Sequence, residues 1–315
     1  MKHKRLVDLF SGTGAFSLAF HSTGRVQTVF ANDSCPKAKQ IYDCNFDTKL
    51  THGDINNIAI EEIPAHDILT GGFPCQPFSI AGEQRGFSDD RSNVFWTILK
   101  IVSARRPRVV ILENVKNLKT HDHGNTFKIV TSELESIGYH IRHKILNTSV
   151  VTSLPQHRER IYLVCFRKRS DYEKFNFDFD PPITKLGLDD MLEKKVNSSY
   201  YYSDRFVVWD AINEGVVKQN TIYQYRRYYV RENKAGLCPT LTANMGGGGH
   251  NVPLIRTKKG VRKLTPRECF NLQGFPADYI LPQVSDSSLY KLAGNAVSIP
   301  VVKLIVNKLV ECGII

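Results

Sequence analysis

Residues 8–14 read Asp-Leu-Phe-Ser-Gly-Thr-Gly and join an apolar run to an amphipathic one. The run Arg5–Leu9 is typical of a short buried strand, and the stretch from Ala15 has the apolar face of a helix. Glycines between them let the backbone approach a ligand closely and expose N–H groups at the start of the helix. Position 17 is Ser, which departs from the G-x-G-x-x-G of dinucleotide sites and favours a smaller or less charged nucleoside over a pyrophosphate. A plain structural turn is the alternative.

The alternation of strands and helices continues beyond this turn and predicts an α/β fold with a parallel sheet. A second strand, Val26–Ala31, ends at Asn32-Asp33, where an acid in Rossmann-type folds accepts the two hydroxyls of a ribose. A solvated loop Asp is the alternative interpretation. The remaining elements predicted for this half are a helix, Cys35–Cys44, and the strands Arg108–Leu112 and Arg160–Phe166.

The alternation is lost after Phe166. The stretch that follows, up to about Lys259, is rich in Tyr, Asn and Gly, and we expect a smaller domain with little regular structure. Regular elements return near the end. Thr265–Leu272 is predicted to be a helix with an N-terminal capping box, and Asn295–Val310 a second, apolar helix.

The charge of the chain indicates a nucleic-acid partner. The net charge is +11 and the pI is near 9.3. Residues 218–263 contain ten Lys and Arg and one acid, Glu232, so they carry +9 of that excess. Within them, Tyr223–Arg231 (YQYRRYYVR) alternates aromatics with cations, which suits phosphate contacts and stacking on bases but also an exposed edge strand. The glycine run in Met245–His250 either lets the backbone approach a groove closely or is a flexible linker.

The composition excludes several classes of protein. Seven cysteines without a C-x-x-C pair argue against a disulfide framework and a cysteine zinc site, and no metal site is predicted. No apolar run approaches the ~18 residues of a membrane helix, and residues 1–5 do not resemble a signal peptide. We therefore expect a reduced, cytoplasmic protein without a membrane partner.

Cys75 differs from the other cysteines in its surroundings. It lies in Gly72-Phe73-Pro74-Cys75-Gln76, after a probable strand and among residues that make a poor core, so a reactive thiol is favoured over a buried one. A buried, unreactive thiol is expected for five others, Cys35, Cys44, Cys165, Cys269 and Cys312.

Charged side chains are predicted beside two further strands. Glu113, which also follows a strand, is a candidate proton donor or else a solvated loop acid. Arg158 and Arg160 enter a strand two residues apart, so alternation is expected to send both to one face, where they suit a phosphate or a carbonyl oxygen. A surface ion-pair cluster with Glu159 is the alternative.

Taken in this order, these segments resemble the cytosine-C5 DNA methyltransferases. The resemblance covers nearly the whole chain outside the irregular, basic stretch of residues 168–261. It depends on six motifs, which are Asp8–Gly14, Gly72–Gln76, Glu113-Asn114-Val115, Gln156–Arg160, Arg262–Pro276 (RKLTPRECFNLQGFP) and Gly294-Asn295-Ala296-Val297.

The resemblance implies a Rossmann-like, S-adenosylmethionine-dependent methyltransferase domain and a smaller, irregular target-recognition domain facing it across a DNA cleft. The first is expected over 1–167 and 262–315, and the second over 168–261. The implied catalytic residues are Cys75, Glu113, Arg158 and Arg160. The implied cofactor contacts are Phe10, Ser11, Gly12, Gly14, Asp33, Asp54, Ile55, Phe73, Pro74, Asn295 and Val297. The implied DNA contacts are Gln76, Ser79, Arg226, Arg227, Arg231, Gly247, Gly248 and His250.

The family chemistry assigns roles to these residues. The Cys75 thiolate adds to carbon 6 of a cytosine flipped out of the duplex, Glu113 acts at N3, and the arginines hold O2. Ser79–Asn93 is expected to be a mobile loop that closes over the base. The implied partner is double-stranded DNA, with a monomeric enzyme and a restriction endonuclease acting separately. The alternatives are a tRNA cytosine-C5 methyltransferase, a catalytically silent DNA-binding relative and, least favoured, a Rossmann dehydrogenase.

Overall fold

The computed structural model describes residues 3–73, 94–247 and 250–315 of the chain. The chain divides into two compact units. The first unit comprises Met1–Leu146, Glu159–Phe179 and Val301–Ile315, and the second comprises Asn147–Arg158 and Asp180–Pro300. The predicted assignment of a catalytic domain and a recognition domain stays a prediction, because these units are defined by packing and not by activity.

A mixed sheet forms the centre of the first unit. Within the described residues it has seven strands, in the order β3-β2-β1-β4-β5-β7-β6. Strands β1 to β5 run parallel, whereas β7 is antiparallel to β5. The strands are β1 (Lys4–Leu9), β2 (Val26–Asp33), β3 (Thr51–His52), β4 (Ile68–Gly72), β5 (Val109–Val115), β6 (His140–Asn147) and β7 (Glu159–Phe166). The expected α/β fold is confirmed.

Helices complete the core of this unit. The first four are α1 (Ala15–His21), α2 (Pro36–Asn45), α3 (Val94–Arg105) and α4 (Asn125–Ser136), and α6 (Arg169–Lys174) follows β7. A short helix, α5 (Thr148–Val151), precedes β7 and belongs to the second unit. Alternate residues of the central strands, such as Val7 and Leu9, form one buried cluster with Phe95 and Leu99 of α3 and Val130 of α4. Burial of these apolar side chains holds the carboxyl ends of β1, β4 and β5 in fixed register.

The second unit is more regular than its sequence indicates. Its described residues include a four-stranded sheet in the order β11-β10-β8-β9. The strands are β8 (Tyr223–Arg226), β9 (Tyr229–Glu232), β10 (Leu254–Thr257) and β11 (Gly260–Lys263), and the helix α7 (Trp209–Gly215) precedes them. A small core of Ile212, Val216, Tyr223, Leu254 and Val261 supports the sheet.

The last three helices confirm one prediction and correct another. Helix α8 (Pro266–Gln273) begins after Thr265, and its Glu268 completes the predicted capping box. The helix predicted over 295–310 is confirmed as α10 (Ile299–Glu311) for most of its length, but its predicted start is wrong by four residues, because Asn295 is the last residue of a separate helix, α9 (Asp286–Asn295). Pro300 explains the break, because its ring would clash with the carbonyl of Ala296 in a continuous helix. Residues 286–311 have the length and composition of a membrane span, but 72% of their most apolar stretch is buried in the protein.

The cysteines follow the predicted pattern only in part. Cys165 and Cys269 are buried, and so is Cys238; burial raises the pKa of all three thiols. Cys44 is exposed, so the expectation of a buried thiol is wrong there: it lies near the end of α2, whose buried face carries Ala38, Ile41 and Tyr42 instead. Cys75 lies outside the described residues.

Candidate active site

The glycine turn after β1 is hydrogen-bonded to the end of β2. Ser11 N donates to Asn32 O at 2.9 Å, and Gly12 N donates to Asp33 Oδ2 at 2.9 Å. Gly53 N, one residue before Asp54, donates to Asp33 O at 3.1 Å. The structure therefore brings together Ser11, Gly12, Asp33 and the Asp54 loop at the carboxyl edge of the sheet. This is the place where open α/β sheets bind ligands, because the strand order reverses at β1.

Three residues of this turn have positive φ angles, for different reasons. Phe10 has φ 52°, which costs a non-glycine residue about 1–2 kcal/mol and marks a constrained position. At Gly12 (φ 53°) a Cβ would meet only Phe10 O, at 3.9 Å, so the turn is open there. At Gly14 a Cβ would lie 2.3 Å from the Phe46 ring. Packing against the Phe46 ring therefore accounts for the glycine at 14.

The other predicted cofactor residues occupy varied environments. Asp54 is exposed and caps a short 3-10 helix by accepting from Asn56 N at 2.9 Å, while Ile55 beside it is buried. Phe73 is buried, 5.6 Å from Phe95 between ring centroids. Asn295 and Val297 belong to the second unit. Pro74 lies outside the described residues.

Glu113 and Arg160 form an ion pair on neighbouring strands. Arg160 Nε lies 3.1 Å from Glu113 Oε1, and the side chains are 14% and 10% exposed. Glu113 on β5 is in register with Gly72 on β4, and a Cβ on Gly72 would lie 3.4 Å from Glu113 Oε2. The carboxyl thus lies against the end of the strand that leads, three residues later, to Cys75. A side chain at position 72 would crowd it.

Asn114 is a positioning residue that sequence reasoning missed. Its buried Nδ2 donates to Phe73 O at 2.8 Å, which ties the end of β4 to the end of β5. The available signal was a polar side chain directly after Glu113 in a buried strand. The bond fixes the backbone from which the segment containing Pro74, Cys75, Gln76 and Ser79 departs. Those four residues, and the loop predicted over 79–93, lie outside the described residues.

Arg158 has different surroundings from those expected. Strand β7 begins at Glu159, so the prediction that alternation places Arg158 and Arg160 on one face of the strand is wrong. The Arg158 side chain is buried in the second unit. Its Nη1 donates to Leu241 O at 2.9 Å, and its Nη2 donates to Ala296 O at 2.8 Å and Gly294 O at 3.3 Å. The guanidinium therefore joins segments of backbone, and its catalytic role stays a prediction.

Asp8 is a second residue without a role predicted from the sequence. Its carboxylate accepts from Ser17 Oγ and Thr70 Oγ, each at 2.8 Å, beneath the glycine turn. Complete burial raises the pKa of Asp8 to about 6 despite those hydrogen bonds. The three side chains link β1, α1 and β4, so Asp8 fixes the turn from below.

The predicted DNA contacts of the second unit lie in two places. Arg226, Arg227 and Arg231 lie on the exposed hairpin of β8 and β9, and Arg227 in its turn has φ 47°. His250 is half-buried: its Nδ1 is 2.9 Å from Tyr202 Oη, and burial lowers its pKa. Gly247 is exposed, and Gly248 lies outside the described residues.

The sequence matches the family described as "C-5 cytosine-specific DNA methylase" over residues 4–311. The chain belongs to this family. As a member it is an enzyme, a DNA (cytosine-5-)-methyltransferase. Two relatives match this chain over nearly its whole length and nearly their own. Type II methyltransferase M.Bsp6I of Bacillus sp. (strain RFL6) is 48% identical over 97% of this chain and 98% of its own. Type II methyltransferase M.HhaI of Haemophilus parahaemolyticus is 37% identical over 96% of this chain and 92% of its own.

Solved structures show the same fold at low sequence identity. The Dnmt2 methyltransferase of S. pombe superimposes with a TM-score of 0.73 at 19% identity, covering 98% of this chain and 99% of its own. The Entamoeba histolytica methyltransferase EhMeth gives a TM-score of 0.74 at 18% identity, over 99% of each chain. The expected methyltransferase fold and family are thus confirmed.

Proposed function

We propose that this enzyme methylates carbon 5 of a cytosine flipped out of double-stranded DNA, with Cys75 as the nucleophile and S-adenosylmethionine as the methyl donor. The observation that carries the proposal is the Glu113–Arg160 pair, which lies against Gly72 at the start of the Cys75 segment. An acid and a guanidinium side by side suit the N3 and O2 atoms of one cytosine edge. The domain roles proposed are catalytic for 1–167 and 262–315 and recognition for 168–261.

The carboxyl edge of β1 and β2 fits an adenosylmethionine site. Its loops, residues 8–14, 31–35 and 53–56, contain three carboxylates and no Lys or Arg. A cationic nucleoside is favoured there and a pyrophosphate is disfavoured. Asp33 keeps acceptor capacity for ribose hydroxyls, because each carboxylate oxygen accepts one backbone N–H, from Gly12 or Cys35, and has a lone pair left. When bound, the cofactor supplies an electrophilic methyl group on its sulfonium.

The residues of the chain perform the remaining chemistry. The Cys75 thiolate adds to carbon 6 of the cytosine, which makes carbon 5 nucleophilic enough to take the methyl group. Glu113 hydrogen-bonds or protonates N3 and so stabilises the added ring, while Arg160 donates to O2. Loss of the carbon 5 proton and expulsion of Cys75 then restore the enzyme. We propose that Arg158 contributes by fixing the backbone of residues 241 and 294–296.

We propose further contacts with the cofactor and with DNA. For the cofactor these are Phe10, Ser11, Gly12, Gly14, Asp54, Ile55, Phe73, Pro74, Asn295 and Val297. For DNA they are Gln76, Ser79, Arg226, Arg227, Arg231, Gly247, Gly248 and His250. The proposal also includes a cytoplasmic monomer that protects the site of a separate restriction endonuclease, which is supported by relatives named type II methyltransferases.

Methyl transfer from tritium-labelled adenosylmethionine tests the proposal. Unmethylated duplex DNA and tRNA are offered separately, and the labelled nucleoside is identified after digestion. We expect 5-methylcytosine from DNA with the wild type and none with Cys75→Ser, while Cys44→Ser, a change at an exposed thiol of α2, keeps activity. Label in tRNA alone would favour the RNA alternative, and no label in either would favour the silent relative.

A further inference from the structure

The second unit contains an open cavity of about 910 Å³ beside the hairpin of β8 and β9. Both strands of the hairpin line it, together with the segments around residues 233–245 and 251–253. Its lining includes apolar residues such as Leu237 and Met245 and six amide or basic side chains, which are Gln224, Arg226, Arg231, Asn233, Lys234 and Asn244. The DNA contacts proposed above include Arg226 and Arg231, but they give no role to the amide of Gln224 beside them.

The register of the hairpin separates its two faces. Tyr223 of β8 belongs to the small core of the unit, and the half-buried Tyr225 of β8 and Val230 of β9 pack against that core. Gln224 pairs with Arg231, and Arg226 pairs with Tyr229, so these four side chains share the opposite face. Gln224 and Arg231 are thus direct cross-strand neighbours, with Cα atoms about 5 Å apart, on the face that is not buried.

The charges at this cavity favour a polyanion. Glu232 is the acid in its lining, and Lys218 Nζ lies 3.0 Å from Glu232 Oε1. In the described parts of the chain no acid pairs with Arg231, which is exposed. Arg226 Nη2 donates to Gln224 Oε1 at 3.1 Å, so one cation orients the amide plane of Gln224. Arg231 and the amide of Gln224 then present hydrogen-bond donors side by side.

We infer that the outward face of this hairpin enters the major groove of the target DNA, where Arg231 reads a guanine and Gln224 reads the adjacent base pair. The inference rests on the proposed function and adds the residues that select the sequence. A two-stranded ribbon fits the major groove, Arg binds guanine O6 and N7 with two bonds, and Gln recognises a base edge in the same way. Arg226 acts as a positioning residue that holds the Gln224 amide.

The test is a methylation map made with the wild type and with Arg231→Lys. Genomic DNA without cytosine methylation is methylated in vitro and sequenced after bisulfite treatment. Lys keeps the charge but loses the two-bond geometry, so we expect discrimination at one guanine position to fall by about ten- to hundredfold. Gln224→Ala is expected to relax the neighbouring position. Arg169→Lys, an exposed change in the first unit, is the matched control and leaves the map unchanged.

The outcomes separate this inference from the proposed function. No methylated cytosine with the wild type, or label in RNA alone, overturns the proposed function and with it the inference. If Arg231→Lys methylates the same sites as the wild type and only binds DNA more weakly, the inference alone is overturned. Arg231 is then a phosphate contact. If Arg231→Lys is inactive, fluorescence anisotropy with the wild-type site and single-base variants of it measures the same discrimination. Equal discrimination by the wild type and Arg231→Lys in this binding assay would also overturn the inference.

Discussion

Replacing Arg160 by Met tests the electrostatic description of the Glu113 site. The two side chains are 3.1 Å apart and at most 14% exposed. At an effective dielectric constant of about 20, the attraction between unit charges at that distance is about 5 kcal/mol. Removing one member of such a pair leaves a poorly solvated charge, which typically costs about 3–5 kcal/mol of stability. We expect a loss of that size at pH 8.

The pH dependence gives this prediction its direction. In Arg160→Met the poorly exposed carboxyl of Glu113 has lost the Arg160 guanidinium, so its folded-state pKa is expected to lie above that in the wild type. A raised acid pKa gives stability at low pH that is lost as the pH rises through the folded-state value. The loss relative to the wild type should therefore be smaller at pH 5 than at pH 8, by about 1.4 kcal/mol for each pH unit below the raised pKa.

Urea denaturation followed by circular dichroism at the two pH values measures this difference. Adding Glu113→Gln to Arg160→Met removes the charge and should abolish the pH dependence of the loss. Arg169→Met is the matched control, because its partner Glu173 is 59% exposed and such pairs contribute at most about 1 kcal/mol. A loss for Arg160→Met that equals the control, or that is the same at pH 5 and pH 8, would refute the reasoning.

Three further perturbations follow from the contacts above. Asp8→Asn should remove a fall in stability of roughly 2 kcal/mol between pH 4 and pH 7, since the buried carboxyl with its pKa of about 6 holds a proton that the unfolded chain releases. Urea unfolding at both pH values measures this fall, and an unchanged slope would count against the assignment. Asp33→Ala should weaken adenosylmethionine binding by roughly 1.5–3 kcal/mol in calorimetry, and unchanged affinity would mean that the ribose is held elsewhere. Glu268→Ala should cost about 3–5 kcal/mol in urea unfolding, because Arg262 at 2.6 Å is buried with it; a loss below 1 kcal/mol would disagree.

The elements that the sequence predicted well depend on local patterns. The glycine turn after β1, the β-branched run of β5 and the capping box of Thr265 each need only neighbouring residues to be recognised. Their partners in space could not be predicted in the same way. The antiparallel pairing of β7 with β5 joins residues about 50 positions apart, and no local signal specifies the strand direction.

In the candidate site, too, features that depend on neighbouring residues are predictable, whereas partners distant in sequence are not. Glu113 is predictable because it follows a strand, so that its carboxylate reaches the edge of the sheet where ligands bind. The partners of Arg158 are backbone carbonyls 83 to 138 residues away, which a side-chain pattern cannot indicate. Likewise, Gly14 resembles a ligand-binding glycine in sequence, whereas the Phe46 ring explains it in the structure.

Covalent trapping on DNA that contains 5-fluorocytosine tests the central claim most directly. Fluorine at carbon 5 cannot leave as a proton does, so the thioether between Cys75 and carbon 6 persists after methyl transfer. With adenosylmethionine present, we predict a denaturation-resistant adduct for the wild type, with the modified peptide containing Cys75 by mass spectrometry, and none for Cys75→Ser. An adduct that forms equally with Cys75→Ser, or that maps to another cysteine such as Cys44, would contradict the account.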